Sequence, residues 1–155
     1  MTDVHDAQTR RRNMAAVRGK DTKPEMSVRQ MLFAAGFRYR LHGRGLPGKP
    51  DLVFPKYRAV IFVHGCFWHH HDCHLFCWPG TREEFWRTKI ARNELRDRQS
   101  AAALREAGWR VAVVWECALK GRSRLAPDET GALLADWLRS DRAELVVQGT
   151  SAGVA

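Results

Sequence analysis

At 155 residues, 45% of them hydrophobic, the chain is long enough for one domain with a core of its own. Lys and Arg number 26 against 17 Asp and Glu, a net charge of +9 with a pI near 10.0; a small domain this basic is built to meet a polyanion. No apolar run could span a bilayer, and the polar, basic first residues are unlike a secretory signal, so a soluble intracellular protein is expected.

In chain order, residues 1–20 read as a basic arm carrying Arg10, Arg11, Arg12, Arg18 and Lys20. Asp21 or Thr22 can cap a helix with Pro24 in its first turn, and Val28, Met31, Leu32 and Ala35 recur at helical spacing until Gly36. Residues 37–41 read as a strand, followed by a turn-rich loop with Gly43, Gly45, Pro47, Gly48 and Pro50. Residues 51–54 and 59–63 are two strands joined so tightly that antiparallel pairing is expected. Thr81 and Glu84 suggest a capping box opening a helix to about Ala107, whose polar middle, residues 92–99, should face solvent or a ligand. Gly108 stops it, residues 109–115 read as a central strand, and Pro127 opens a last helix with Leu133, Leu134, Trp137 and Leu138. After Val147 the chain is small and uncharged and is expected to fray. This order suggests an α/β or α+β sandwich with a mixed sheet, its strand order undetermined by the sequence.

Five histidines and three cysteines lie between His64 and Cys77. In an intracellular protein such a cluster reads as metal ligands rather than disulfides. Zinc takes four such ligands in a tetrahedron, with at least one from a distant segment to staple the fold. Cys66, His71 and Cys73 are candidates, and Cys117, at the end of the 109–115 strand, is placed to close the site. His70, His74 and Cys77 compete for places, and the spacing alone does not choose among them.

Asp51 begins a strand directly after the Gly/Pro loop, close to the end of the next strand. A carboxylate there, with a backbone carbonyl and substrate phosphates, is enough for Mg²⁺, which prefers hard oxygens and keeps several waters. Taken alone, an Asp after Pro is often only a turn residue. Glu25 on the preceding helix could orient a water. His69 can accept a proton from water near neutral pH, and His64 at the strand end could touch a phosphate. Among the aromatics, Phe67, Trp68 and Trp86 have polar neighbours that suit stacking on bases or wedging between base steps. Phe85, Trp109, Trp115 and Trp137 are assigned to the core.

The run Val60-Ile61-Phe62-Val63-His64-Gly65-Cys66-Phe67-Trp68-His69-His70-His71 resembles the signature of the very short patch repair (Vsr) endonucleases. So do Asp3-Val4-His5-Asp6 with Asn13-Met14, Leu46-Pro47-Gly48 with Pro50-Asp51, Thr81-Arg82 with Glu84-Phe85-Trp86, and Gly108-Trp109-Arg110-Val111 with Val114-Trp115-Glu116-Cys117-Ala118-Leu119. The resemblance implies a restriction-endonuclease-like three-layer α/β sandwich, with a central mixed sheet between helices and a structural zinc site. It implies Mg²⁺-dependent nicking of duplex DNA 5′ of the T in a T·G mismatch left by deamination of 5-methylcytosine. Asp51 and the backbone carbonyl of Val63 would hold Mg²⁺, His69 would act on the attacking water, and Glu25 and His64 would support them. Cys66, His71, Cys73 and Cys117 would hold Zn²⁺. Phe67, Trp68 and Trp86, with Met14 of the arm and with Lys89 and Asn93, would contact or intercalate into DNA.

Three positions depart from the family pattern: Val63 stands where Thr is frequent, Cys77 is an extra thiol, and Phe62-Val63-His64 replaces the Glu-x-Lys half of the restriction-type motif. On this reading residues 1–20 are a DNA-clamping arm, 21–145 the endonuclease domain and 146–155 a flexible tail. The expected partners are T·G-mismatched duplex DNA and mismatch-repair accessory proteins. The expected form is a monomer, since no apolar helix face is left over for a dimer, in the bacterial cytoplasm at the nucleoid. Two other readings share these features: a zinc-stapled DNA-binding module without chemistry, and a restriction-type nuclease that cuts matched duplex.

Overall fold

The computed structural model describes residues 21–150; the basic arm, with Met14, lies outside them. Helix α1 (Lys23–Ala34) starts where Thr22 takes an extended conformation and its Oγ1 accepts the Glu25 amide at 3.3 Å. Val28 and Leu32, one turn apart, are fully buried. The helix ends at Gly36, whose φ of +96° suits a residue without Cβ, and the Phe37 amide returns to the Leu32 carbonyl. That bond shortens the strand expected over 37–41: only Arg40–Leu41 pair, as β1, while Phe37 turns into the core against Phe54.

The sheet contains β1, β2 (Leu52–Phe54), β3 (Ala59–His64), β4 (Arg110–Trp115) and β5 (Glu144–Val147), in that spatial order. β1–β2 and β2–β3 are antiparallel, whereas β3–β4 and β4–β5 are parallel. The parallel pairs require long crossovers. These are α2 (Glu83–Glu106) between β3 and β4, and α3 (Pro127–Arg139) between β4 and β5.

Alternation along the strands makes two apolar faces. Leu52, Phe54, Ala59, Ile61, Ala112, Val114 and Val147 meet Val28 and Leu32 of α1 and Leu134, Trp137 and Leu138 of α3. On the other face Val53, Val60, Phe62 and Val111 pack against Leu104 of α2. Helices therefore cover both sides of a mixed α/β sheet. The Arg110 guanidinium ties β4 to α3 by donating to the carbonyls of Trp137 and Leu138. Among the described residues no helix is long and apolar enough to cross a membrane.

Two details differ from the sequence expectation. Arg82, not Thr81, is the N-cap of α2; it sits at φ +54° with no side-chain cap, so no capping box forms. β5 carries the chain past the boundary drawn at 145/146, pairing Leu145 with Ala112 and Val147 with Val114.

Candidate active site and metal centre

Antiparallel pairing of β2 with β3 brings Asp51 to the end of β3, where the Val63 amide donates to Asp51 Oδ2 at 2.7 Å. Burial pushes the Asp51 carboxyl up to about 7; the Val63 amide opposes the shift and the Glu25 carboxylate adds to it. Glu25 is only 2% exposed. It is held by the Asp21 amide at 3.0 Å and by Arg29 Nη2 at 3.2 Å, which also donates to Asp21 Oδ1 at 2.6 Å. Arg29 thus balances Asp21 and Glu25, while Glu25 and Asp51 stand together on the cleft wall, where two carboxyl groups could hold a hard cation.

β3 ends at His64, whose side chain points to the α2 side of the sheet. Its ring lies 3.8 Å from that of His69, with the planes 5° apart. Burial, then the neighbouring His69, lowers His64 to about 3, so it is neutral at physiological pH; its buried Nδ1 has no partner among the described residues. The link from His64 to His69 is a tight turn, closed by the His69 amide on the Gly65 carbonyl and the His71 amide on the Cys66 carbonyl. His69 Nδ1 lies 2.5 Å from Asp97 Oδ2 on α2, which leaves Nε2 as the other ring nitrogen.

The same turn presents the aromatics. Phe67, Trp68 and Trp86 form a three-ring cluster with centroids 5.2 to 5.8 Å apart, half-buried rather than freely exposed. Lys89 Nζ lies 5.9 Å from the Trp68 ring, and Asn93 Nδ2 donates to the Trp68 carbonyl at 3.0 Å. An open cleft of about 1730 Å³ joins Glu25, Asp51, His64, His69, Phe67, Trp68, Lys89 and Asn93, with Lys49, Arg96 and Arg98 also lining it.

The core assignments hold for Trp137 but not throughout. Phe85 is 43% exposed under the Arg82 guanidinium, because it lies on the outer face of α2. Trp115 ends β4 on the side of His64 and stacks on His71 at 4.3 Å.

Beyond the turn, one ligand atom from each of Cys66, His71, Cys73 and Cys117 falls within 4.8 Å of the others. His71 Nδ1 is 3.7 Å from Cys66 Sγ and 3.5 Å from Cys117 Sγ, close to the edge of about 3.6 Å expected of a tetrahedron with zinc-like bond lengths. The sulfurs also receive amide donors: Cys117 N–H to Cys66 Sγ and Gly149 N–H to Cys117 Sγ, each at 3.3 Å. Burial pushes both the Cys66 and Cys117 thiols up, so a cation is what would favour their thiolates. These four residues could hold a metal ion. The competitors are elsewhere: His70 pairs with Glu94 at 2.6 Å, His74 with Ser123 at 3.2 Å, and Cys77 is exposed.

Asp97 and Gln148 were not singled out by the sequence, although Asp97 lies in the polar stretch of α2 read as facing a ligand. Met14 lies outside the described residues.

Carboxylates and an imidazole pair beside a basic, aromatic-lined cleft are the parts of a hydrolytic nuclease, and comparison with known proteins defines the class as DNA endonuclease. Residues 2–75 match the family described as DNA mismatch endonuclease Vsr. The chain is 49% identical over 138 residues to the DNA mismatch endonuclease Vsr of Escherichia coli K12, covering 89% of this chain and 88% of that protein. It is 51% identical over 119 residues to the type II nicking enzyme V.XorIIP of Xanthomonas oryzae pv. oryzae, covering 77% and 88%, and 43% identical over 123 residues to the type II nicking enzyme V.NmeAIP of Neisseria meningitidis, covering 79% and 88%. The chain belongs to the Vsr family of DNA mismatch endonucleases.

Proposed function

We propose that this endonuclease nicks duplex DNA on the 5′ side of the T in a T·G mismatch, by Mg²⁺-dependent hydrolysis of one phosphodiester, and so starts very short patch repair. The observation that carries the chemistry is the Asp51 carboxylate, seated on the Val63 amide and sharing its cleft with the His64–His69 stack and the aromatic cluster. The family supports the mismatch: the E. coli relative is named for it.

Asp51, with the Val63 carbonyl, would hold Mg²⁺; Glu25 lies beside Asp51 and orders water there. Bound at that place, the cation supplies charge neutralisation for the phosphate in its transition state. His69, oriented through Nδ1 by Asp97, takes a proton from the attacking water at Nε2 as the new O–P bond forms and the bond to the leaving oxygen breaks, that oxygen taking up a proton from solvent water. His64, kept neutral by burial, supports the His69 ring from one side. Phe67, Trp68 and Trp86 wedge at the mismatch, Lys89 and Asn93 contact the DNA beside them, and Met14 on the arm clamps from the other groove.

Cys66, His71, Cys73 and Cys117 hold Zn²⁺ in a structural role: a soft donor set with no substrate-facing place assigned to it, joining the turn after β3 to the end of β4. We read the mixed sheet, with its carboxylate at the head of β2, as restriction-endonuclease-like. The working form is a monomer in the bacterial cytoplasm, acting at the nucleoid with mismatch-repair accessory proteins.

Asp51→Ala separates this reading from a binding module without chemistry. In single-turnover assays with Mg²⁺ the variant should retain affinity for a T·G duplex and lose nicking by at least about 10³-fold. Nicking at the wild-type rate would refute the role given to Asp51.

A further inference from the structure

The chain continues in a defined path beyond β5. Val147 is 1% exposed in the core, and the next three residues run across the Cys/His cluster rather than away from it. Gln148 Oε1 lies 2.8 Å from His71 Nε2, the Gly149 amide donates to Cys117 Sγ at 3.3 Å, and the Thr150 amide donates to the Ser123 carbonyl at 2.8 Å. Gly149 fits only because it lacks a side chain: a Cβ there would stand 2.6 Å from the Cys117 carbonyl and 2.6 Å from Ser123 Oγ. Three consecutive residues thus each make a specific contact with the cluster or with the loop behind it.

We infer that residues 148–150 are a strap belonging to the metal centre, with Gln148 the positioning residue for His71. With its amide oxygen turned to the ring, Gln148 accepts from Nε2–H and so favours the His71 tautomer with the proton on Nε2. That leaves the Nδ1 lone pair facing Cys66 and Cys117, as a ligand must. Trp115, stacked on the other side of the ring, limits its rotation, and the hydrogen bond sets the rotation that remains. The Gly149 amide meanwhile places a donor against Cys117 sulfur, where it favours thiolate. The strap serves only a cluster that holds zinc, so the inference rests on that part of the proposed function.

The test is the rate at which the full-length protein, loaded with zinc, releases it to an excess of a coloured chelator. Gln148→Leu, which has no acceptor, should release zinc about 10-fold faster than wild type or more. Gln148→Glu, which restores an acceptor, should release it no faster than wild type, and this rescue separates positioning of His71 from mere filling of space. If Gln148→Leu holds zinc as long as wild type does, the strap has no such role while the zinc reading stands. If wild type binds no zinc, both fail together.

Discussion

His69 Nδ1 and Asp97 Oδ2 lie 2.5 Å apart, although the two residues are 28 positions apart and sit on a turn and a helix. In the proposed mechanism the pair leaves Nε2 of His69 for the attacking water, and the carboxylate would stabilise the imidazolium formed when a proton arrives. Asp97→Asn should therefore reduce the nicking rate about 10- to 100-fold while leaving the Kd for mismatched duplex nearly unchanged. Single-turnover rates at saturating enzyme check this; a weaker Kd with an unchanged rate would mean that Asp97 serves DNA binding instead.

Asp51 gives a pH dependence with a definite sign. Its folded carboxyl titrates at about 7, above the ordinary value of 3.8, because burial and the nearby Glu25 disfavour the charge. Without a divalent cation, the protonated form is the one that folding favours, so its contribution is present at low pH and is lost as pH rises from about 4 to 7. Asp51→Asn should accordingly be more stable than wild type at pH 8, by about 4 kcal/mol at most, and equal to it near pH 4. Denaturant titrations in EDTA at the two pH values measure the difference. Adding Mg²⁺ should narrow the gap at pH 8, because only the wild type offers the carboxylate.

Arg29 is the countercharge for this site. Its side chain is 10% exposed and that of Glu25 is 3%, so removing the guanidinium strands a buried carboxylate beside Asp51. Arg29→Met should cost about 3 kcal/mol of stability. Glu25→Gln combined with Arg29→Met should cost less than the single Arg29 change, since the stranded charge is gone. Thermal unfolding of the two variants decides; additive losses would show that the pair contributes packing rather than charge balance.

Much of this arrangement was legible in the sequence, and the reasons are local. Thr22 and Gly36 mark both ends of α1, the apolar run of β3 announces a buried strand, and the crowding of Cys and His after it points to the cluster of four residues that could hold a metal ion. What was not legible depends on contacts between distant segments. Asp97 looks like one more charge on a polar helix until α2 is laid across the His64–His69 turn. β5 has four residues, no turn signal of its own, and only Val147 fully buried, so its pairing comes from β4 rather than from its own pattern. Thr81 and Glu84 have the spacing of a capping box, but a positive φ at Arg82 places the helix start one residue later. Trp115 alternates with core valines and still faces His64 and His71, because the turn after β3 folds back against the end of β4.

Trp68 is the ring on which the proposed wedge is most directly tested. It is half-buried against Phe67 and Trp86, with Lys89 over its ring and its carbonyl held by Asn93. Trp68→Ala should weaken binding to a T·G duplex by about 10- to 100-fold, the value of one stacked base, with little loss on fully paired DNA. Fluorescence anisotropy with the two duplexes measures both; equal losses on paired and mismatched DNA would reassign Trp68 to scaffold packing.

Recognition of a T·G mismatch by the cleft, with cleavage beside it, is the property on which the proposed function stands. The direct measurement is strand cleavage, in Mg²⁺, of two duplexes identical except that one carries a T·G pair and the other a T·A pair, with each strand labelled separately. A single nick is expected in the T·G duplex, on the 5′ side of the mismatched T, with an intact opposite strand and little cleavage of the T·A duplex. Equal cleavage of both duplexes, or none of the T·G duplex, would contradict it.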